Sequence, residues 1–333
     1  MSALAKRFAS NTFHAVAETI VTRAPTRIDF GGGWTDVPPY SDEMGGYVCN
    51  VAISRYVTVT VGTSRALAGH GRAMSAGDRS IANAAARRFG RADATIDIAS
   101  DFPIGAGLGG SSAAGVAVVS AMCAATAADI SRTAMAELSR EIEISDLGIA
   151  GGRQDHYAAA YGGALGLRFR AEGVDVEPIA LSRRVREELE RRCLIIYTGQ
   201  SRISGDTIDA VIGAYRAKEP RVLNALQQMK TLAESMASAL RRENVDDLGR
   251  LVGEQWLHQR SLHPAIPTPR IDEIIAKSAA AGAIGAKALG ASGGGCVLVI
   301  AADDRCEAVR DAIAPLGEML SFAIDESGAT RCL

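Results

Sequence analysis

Between positions 103 and 114 this chain sets Gly105, Gly107, Gly109 and Gly110 around Leu108 and runs them into the hydroxyl pair Ser111 and Ser112. Glycines let backbone N–H groups close on an anion with no Cβ in the way. A helix opening at Ser111 adds free N–H groups and the positive end of its dipole. The two hydroxyls stand where a phosphate oxygen or Mg²⁺ can be held. The blander reading is a glycine turn ahead of a helix, and the serine pair at the helix start argues against it.

Phosphoryl transfer needs a metal on the phosphates, positive charge near the transferring group and a residue that orients or deprotonates the acceptor hydroxyl. Asp155, in a glycine-opened polar segment, is the candidate base, and Glu143 the candidate metal ligand. Arg27 suits a developing negative charge and Asp36 suits sugar hydroxyls. Residue types alone leave alternatives open: Asp155 also fits a helix cap, Glu143 a surface position, and 24–36 a strand end and turn with Trp34 in the core.

Two motifs are set aside. Gly105, Gly107 and Gly110 spell G-x-G-x-x-G, but a dinucleotide site needs a strand running straight into the glycines and an acidic residue closing the next strand. Here Asp101, Phe102 and Pro103 interrupt the strand, and Asp129 follows an alanine-rich helix. No Gly-Lys-Ser/Thr follows the glycines, so this is not a Walker A loop. Gly290, Ser292 and Gly294 spell the G-x-S-x-G of a hydrolase elbow, which needs a strand before it and a helix after it. The preceding segment reads as helical and 296–301 as a strand, the reverse order.

The elements that must position these residues follow from periodicity. Extended runs cover 19–22, 27–30, 47–52, 56–62, 95–99, 165–169, 193–197 and 296–301. Helical runs cover 81–89, the small-residue stretch from Ser111, 131–145 with Ser131 as N-cap, 157–161, 183–192, 204–216, 221–241, 246–258, 271–281 and 305–314. The charge-dense 183–192 reads as a solvated helix face and a domain edge. Residues 1–17 carry no clear period. Strands dominate early and helices late, which favours an α+β protein of two domains, 1–192 and 193–333, over a doubly wound sheet.

A length of 333 residues suits two packed domains. A net charge of −2 gives no basic bias toward nucleic acid or an anionic membrane. The six cysteines are scattered with no C-x-x-C pair, which excludes a zinc pattern or a secreted disulfide framework and points to a reducing cytoplasm. No apolar run follows Lys6 and Arg7, so no signal peptide is read, and 113–128 is too rich in small residues for a membrane span. The oligomeric state is left open, a homo-oligomer included.

Three stretches in order resemble the galactokinase–homoserine kinase–mevalonate kinase–phosphomevalonate kinase (GHMP) family. Residues 25–36 look like its first motif, 103–114 like its phosphate loop, and Lys287 to Val297 like its third, glycine-rich motif. The resemblance runs from about residue 18 to the C-terminus. Within the family the G-G-G-x-T-D form at 31–36, together with 146–155, 157–163 and 197–202, is closer to heptose 7-phosphate kinases and related fucokinase domains. The resemblance implies a two-domain GHMP kinase fold: an N-terminal domain similar to ribosomal protein S5 domain 2 and a C-terminal ferredoxin-like domain, with ATP and sugar between them. It implies Asp155 as catalytic aspartate, supported by Arg27, with Mg²⁺ at Ser112 and Glu143. The cofactor loop is then Gly105, Gly107, Leu108, Gly109, Gly110, Ser111 and Ser112, and Asp36, Thr35 and Gly152 belong to the sugar side. The implied reaction carries the γ-phosphate of ATP to the anomeric hydroxyl of D-glycero-D-manno-heptose 7-phosphate, giving the 1,7-bisphosphate for nucleotide-activated heptose and surface polysaccharide. Arg153, Arg202 and Arg260 are the cations expected around the 7-phosphate, by position and charge. A neutral sugar such as fucose is the alternative, and a non-catalytic sensor a further one. Departures are His156 where relatives usually have Gln, Ser292 in place of a usual glycine, and less lysine across 256–260.

Overall fold

The computed structural model describes residues 19–62, 76–92, 94–148, 151–200 and 205–332. Residues 1–17 and Arg202 lie outside the described residues.

Valines at 57, 59 and 61 are buried and alternate with threonines, the pattern of a strand that presents one face to a core. They belong to β2 (Gly46–Gly62), which pairs antiparallel with β1 (Ile20–Gly31) along one edge. The 17 residues of β2 leave room for two strands on its other edge. β3 (Thr95–Ser100) takes the 57–62 half and β4 (Ala164–Arg170) the 46–51 half. β5 (Gly173–Ile179) extends the sheet beyond β4, and β10 (Thr330–Cys332) pairs with β1. The second sheet is four-stranded and antiparallel, in the order β7 (Ala283–Ala288), β8 (Cys296–Ala301), β6 (Cys193–Tyr197) and β9 (Glu318–Leu320).

Helix α3 (Gly110–Thr126) packs on β1 and β2. It is apolar nearly all round, with Val116, Val118, Val119 and Met122 fully buried, as a helix inside a core must be. Each such side chain contributes about 1.5–3 kcal/mol. The long helix α8 (Pro220–Arg241) also packs against β1 and β2, and α9 (Val245–Ser261) lies on β7. One continuous hydrophobic core therefore runs from β1, β2 and α3 through α8 and α9 to β6 and β8. Among the described residues, no helix is long and apolar enough to cross a membrane.

The architecture is α+β, as expected, with several local corrections. The runs at 19–22 and 27–30 are one strand, and so are 47–52 and 56–62. Pro25 faces Tyr56 and Thr26 faces Ile53, so a bulge absorbs Ser54 and Arg55. Their groups are taken up by the C-terminal segment: Ser54 N donates to Ala323 O at 2.8 Å and Arg55 Nε to Ser321 O at 2.6 Å. The segment ahead of Gly290, expected to be helical, is strand β7. Its alanines lack alternation, but the backbone of α9 closes on it so tightly that a Cβ on Gly285 would meet Gly249 O; tertiary packing overrides propensity there. The elbow motif at Ser292 is thus flanked by strands on both sides, and the helix it needs is absent. Strands β5, β9 and β10 were not foreseen.

Candidate active site

The chain enters α3 through Gly109, whose φ of 79° is left-handed, a conformation open to glycine at little cost. The loop before it is pinned from two sides. Arg27, in the bulged half of β1, donates from its backbone N to Leu108 O (3.1 Å) and from Nη1 to Gly107 O (2.7 Å). From the other side, Cys296 N donates to Ala106 O (2.8 Å), and Leu289 O comes close enough that a Cβ on Gly107 would sit 2.6 Å from it. The first and third glycine motifs thus clamp the phosphate loop between the two sheets.

Asp155 stands in the first turn of α5 (Gln154–Tyr161). Its Oδ1 accepts from Arg27 Nε at 2.7 Å, with Arg27 almost fully enclosed and the carboxylate 23% exposed toward the cavity. Burial by itself would lower Arg27, but Asp155, Asp29 and Asp36 around it reverse this and hold it above its ordinary value. Asp36 Oδ2 accepts from Gln154 N at 3.0 Å. Burial, reinforced by Asp155 and Asp29 and opposed by that N–H, pushes Asp36 up to about 6.

Beneath these groups lies a buried ion pair. Lys287 Nζ donates to Asp29 Oδ2 (3.0 Å) and to Asp29 O (2.9 Å). Burial depresses Lys287, while Asp29 works against the shift. Neither residue was singled out from sequence. The usable signal was that Arg27 and Asp29 are two apart on a strand and so share a face, opposite a lysine that opens the third motif.

Glu143 sits on a π-helical turn (Ile142–Asp146) that continues α4 (Arg132–Glu141); such turns re-aim side chains at functional sites. Oε1 accepts from Ser111 Oγ at 2.7 Å, and Oε2 lies 3.4 Å from Ser112 Oγ and 2.9 Å from His156 Nε2. Burial would raise Glu143, but His156 and the two serines outweigh it and hold the carboxyl below its usual range. An ionised carboxylate beside two hydroxyls at a helix N-terminus is a hard-oxygen set that fits Mg²⁺. Among the described residues, no group of three or more His, Cys, Asp or Glu is arranged to hold a metal. A cation here would therefore lean on substrate phosphates, as Mg²⁺ commonly does.

These groups line one cavity of about 700 Å³. Its wall includes Arg27, Asp36, Gly105, Gly107, Leu108, Gly109, Gly110, Ser111, Ser112, Glu143, Gly152 and Asp155, with Val57, Ile98, Phe102 and Ile104 among its apolar lining. Three expected substrate contacts are not in that wall. The Thr35 hydroxyl lies 2.7 Å from Gly32 O and 3.0 Å from Tyr47 O and accepts from Tyr47 N, so it braces the turn that carries Asp36. Arg153 is tied to Asp42 Oδ1 (3.2 Å) and Arg170 O (3.1 Å). Arg260 pairs with Asp272 at 3.2 Å and lies over the Trp256 ring.

A phosphate loop on a helix N-terminus, facing an Arg-supported aspartate across one cavity between two antiparallel sheets, defines a phosphotransferase. The chain belongs to the GHMP kinase family: the N-terminal domain of GHMP kinases matches residues 79–163 and the C-terminal domain residues 236–316. It is a kinase whose acceptor is an alcohol group. The D-glycero-alpha-D-manno-heptose 7-phosphate kinase of Campylobacter jejuni is 29% identical over 300 residues, covering 84% of this chain and 88% of that protein. The bifunctional fucokinase/GDP-fucose pyrophosphorylase of Arabidopsis thaliana is 29% identical over 317 residues, covering 84% of this chain but 29% of the longer protein. A solved D-glycero-D-manno-heptose 1-phosphate kinase from Bacteroides thetaiotaomicron superposes with a TM-score of 0.75 at 25% identity, covering 94% of this chain and 99% of that one.

Proposed function

We propose that this chain transfers the γ-phosphate of ATP to a sugar hydroxyl, with the anomeric hydroxyl of D-glycero-D-manno-heptose 7-phosphate as acceptor. The product would be the 1,7-bisphosphate, a precursor of nucleotide-activated heptose for surface polysaccharide. The observation that carries the transfer is the Arg27-bonded carboxylate of Asp155 in the same cavity as the Ser111–Ser112–Glu143 cluster at the head of α3. The choice of heptose rests on likeness to the Campylobacter enzyme. Residues 1–192 form the domain that carries the phosphate loop and 193–333 the second domain, with β10 returning to the first sheet. The free cysteines and the nucleotide substrate suit the cytoplasm.

In this reading the N–H groups from Gly105 to Ser112 and the α3 dipole cradle the β- and γ-phosphates. Ser112 and Glu143, with Ser111 beside them, hold Mg²⁺, which when bound neutralises charge on the phosphates. Asp36 accepts from sugar hydroxyls and fixes the acceptor. Asp155 takes the proton of the attacking hydroxyl, or orients it, while Arg27 holds that carboxylate in place and offsets negative charge.

One observation favours a second reading. Among the described residues of the cavity wall, Arg27 is the sole cation, and it is engaged by Asp155 and Gly107, whereas Asp29, Asp36, Asp155 and Glu143 are all acidic. Such a wall suits an unphosphorylated sugar such as fucose. ATP turnover with Mg²⁺, comparing the heptose 7-phosphate with fucose, galactose and mannose, separates the two. Turnover with the heptose phosphate alone supports the first reading. Turnover with a neutral sugar alone removes it and leaves the transfer chemistry standing.

A further inference from the structure

His156 neighbours the base in the first turn of α5, yet it lies outside the cavity wall. It is 1% exposed, and its Nδ1 lies 2.9 Å from Ser139 Oγ on α4, itself 1% exposed. Its Nε2 lies 2.9 Å from Glu143 Oε2. An ionised carboxylate only accepts, so a contact this short calls for a proton on Nε2, although the ring N–H is not aligned on Oε2 and makes no regular hydrogen bond there. In a neutral ring Nδ1 is then the acceptor, and the Ser139 hydroxyl donates to it. The three side chains lie in close contact, Ser139 hydrogen-bonded to His156 and His156 within ion-pair distance of Glu143, enclosed between α4, α5 and the π-helical turn.

The alternative partner of Glu143 Oε2 is weak. Ser112 Oγ is 3.4 Å from it, long for an O–H···O bond, whose usual range is about 2.5–3.0 Å. His156 therefore makes the closer contact on that oxygen, an ion-pair approach rather than an aligned hydrogen bond, while Ser111 at 2.7 Å bonds Oε1. The same helical turn that presents Asp155 to Arg27 thus also sets His156 against Glu143.

We propose that His156 is a positioning residue that fixes the Glu143 carboxylate for the cation–nucleotide complex, with Ser139 setting its tautomer. This rests on the reading of Glu143 as a cation ligand. Partners of metal ligands commonly change metal affinity by about 10–100-fold when removed.

The test is calorimetric binding of a non-hydrolysable ATP analogue at one fixed pH, with MgCl₂ and with EDTA, the ratio of the two affinities giving the cation-dependent gain. His156→Leu is expected to cut that gain about tenfold or more and to leave the EDTA affinity unchanged. His156→Gln keeps an N–H donor and is expected to retain most of the gain. Ser139→Ala removes the donor to Nδ1 while leaving His156 in place, and a loss of about threefold is expected. That variant carries the test if His156→Leu does not fold, and an unchanged gain in it then overturns the proposal. A folded His156→Leu protein with the wild-type gain overturns it, as does a His156→Gln loss equal to that of Leu. Glu143→Gln is the control: if it keeps the full gain, the cation reading of Glu143 fails; if it loses the gain while His156→Leu keeps it, only the role of His156 fails.

Discussion

Gly109→Ala puts the smallest side chain where the phosphate loop and the base meet. Two costs are separable. Gly109 has φ of +79°, and an L-residue held in the left-handed region costs about 1–2 kcal/mol. In addition, the new Cβ would lie 2.9 Å from Asp155 Cγ, 3.0 Å from Oδ2 and 3.1 Å from Cβ, where ordinary carbon contacts begin near about 3.5 Å. Asp155 must therefore retreat by about half an ångström or more. It can do so only by disturbing the 2.7 Å bond to Arg27 Nε, since Arg27 is itself fixed to the loop through Gly107 O. A displacement of that order in a reacting group lowers turnover by about 100-fold. Gly163→Ala is the matched control: φ is +68° with nothing within 4 Å of the added Cβ, so it bears the dihedral cost without touching the base. Steady-state kinetics and thermal melts on both variants give the answer. Both should lose a few degrees in Tm, and only Gly109→Ala should lose kcat. Equal kcat in the two variants would refute the claim that loop and base are in mutual contact.

Two further predictions concern the buried charges. Asp36 is raised from 3.8 to about 6, so the folded state binds its proton more tightly than the unfolded chain. Its ionisation costs stability as pH rises from about 4 to 6, by about 3 kcal/mol in all. Asp36→Asn should therefore raise Tm at pH 7.5, and by about a third as much at pH 4.5, and KM for the sugar in the wild type should climb below about pH 6; a Tm gap that is the same at both pH values counts against this. Lys287→Met strands the Asp29 carboxylate in the interior and should cost about 3–5 kcal/mol by chemical denaturation, with Asp29→Asn in the same chain recovering part of the loss. No recovery would mean that the pair is not the source of the loss.

The site was more legible in the sequence than the strands that carry it. Gly105 to Ser112 stand out by local composition, because backbone approach to phosphate demands glycines, whereas Asp155 and Glu143 fit a helix cap and a surface position equally well and take their expected roles from the family resemblance. The bulge at Ser54 and Arg55 is invisible locally, since its partners, Ser321 and Ala323, lie more than 260 residues away along the chain. Strand β7 could not be read from its alanines, because its state is decided by the backbone of α9 lying against it. The Lys287–Asp29 pair joins the third motif to the first across 258 positions, and only the folded chain makes it visible. Arg153 and Arg260 have the right charge for a sugar phosphate, but charge does not report direction, and both are turned to carboxylates outside the cavity wall.

The account depends most on Asp155 acting on the acceptor hydroxyl, and Asp155→Asn tests this most directly. The amide keeps the size of the side chain and loses its basicity. Turnover is expected to fall by about 10²–10⁴-fold, with the dissociation constant for ATP within about threefold of wild type. Full turnover by the Asn variant would contradict the account.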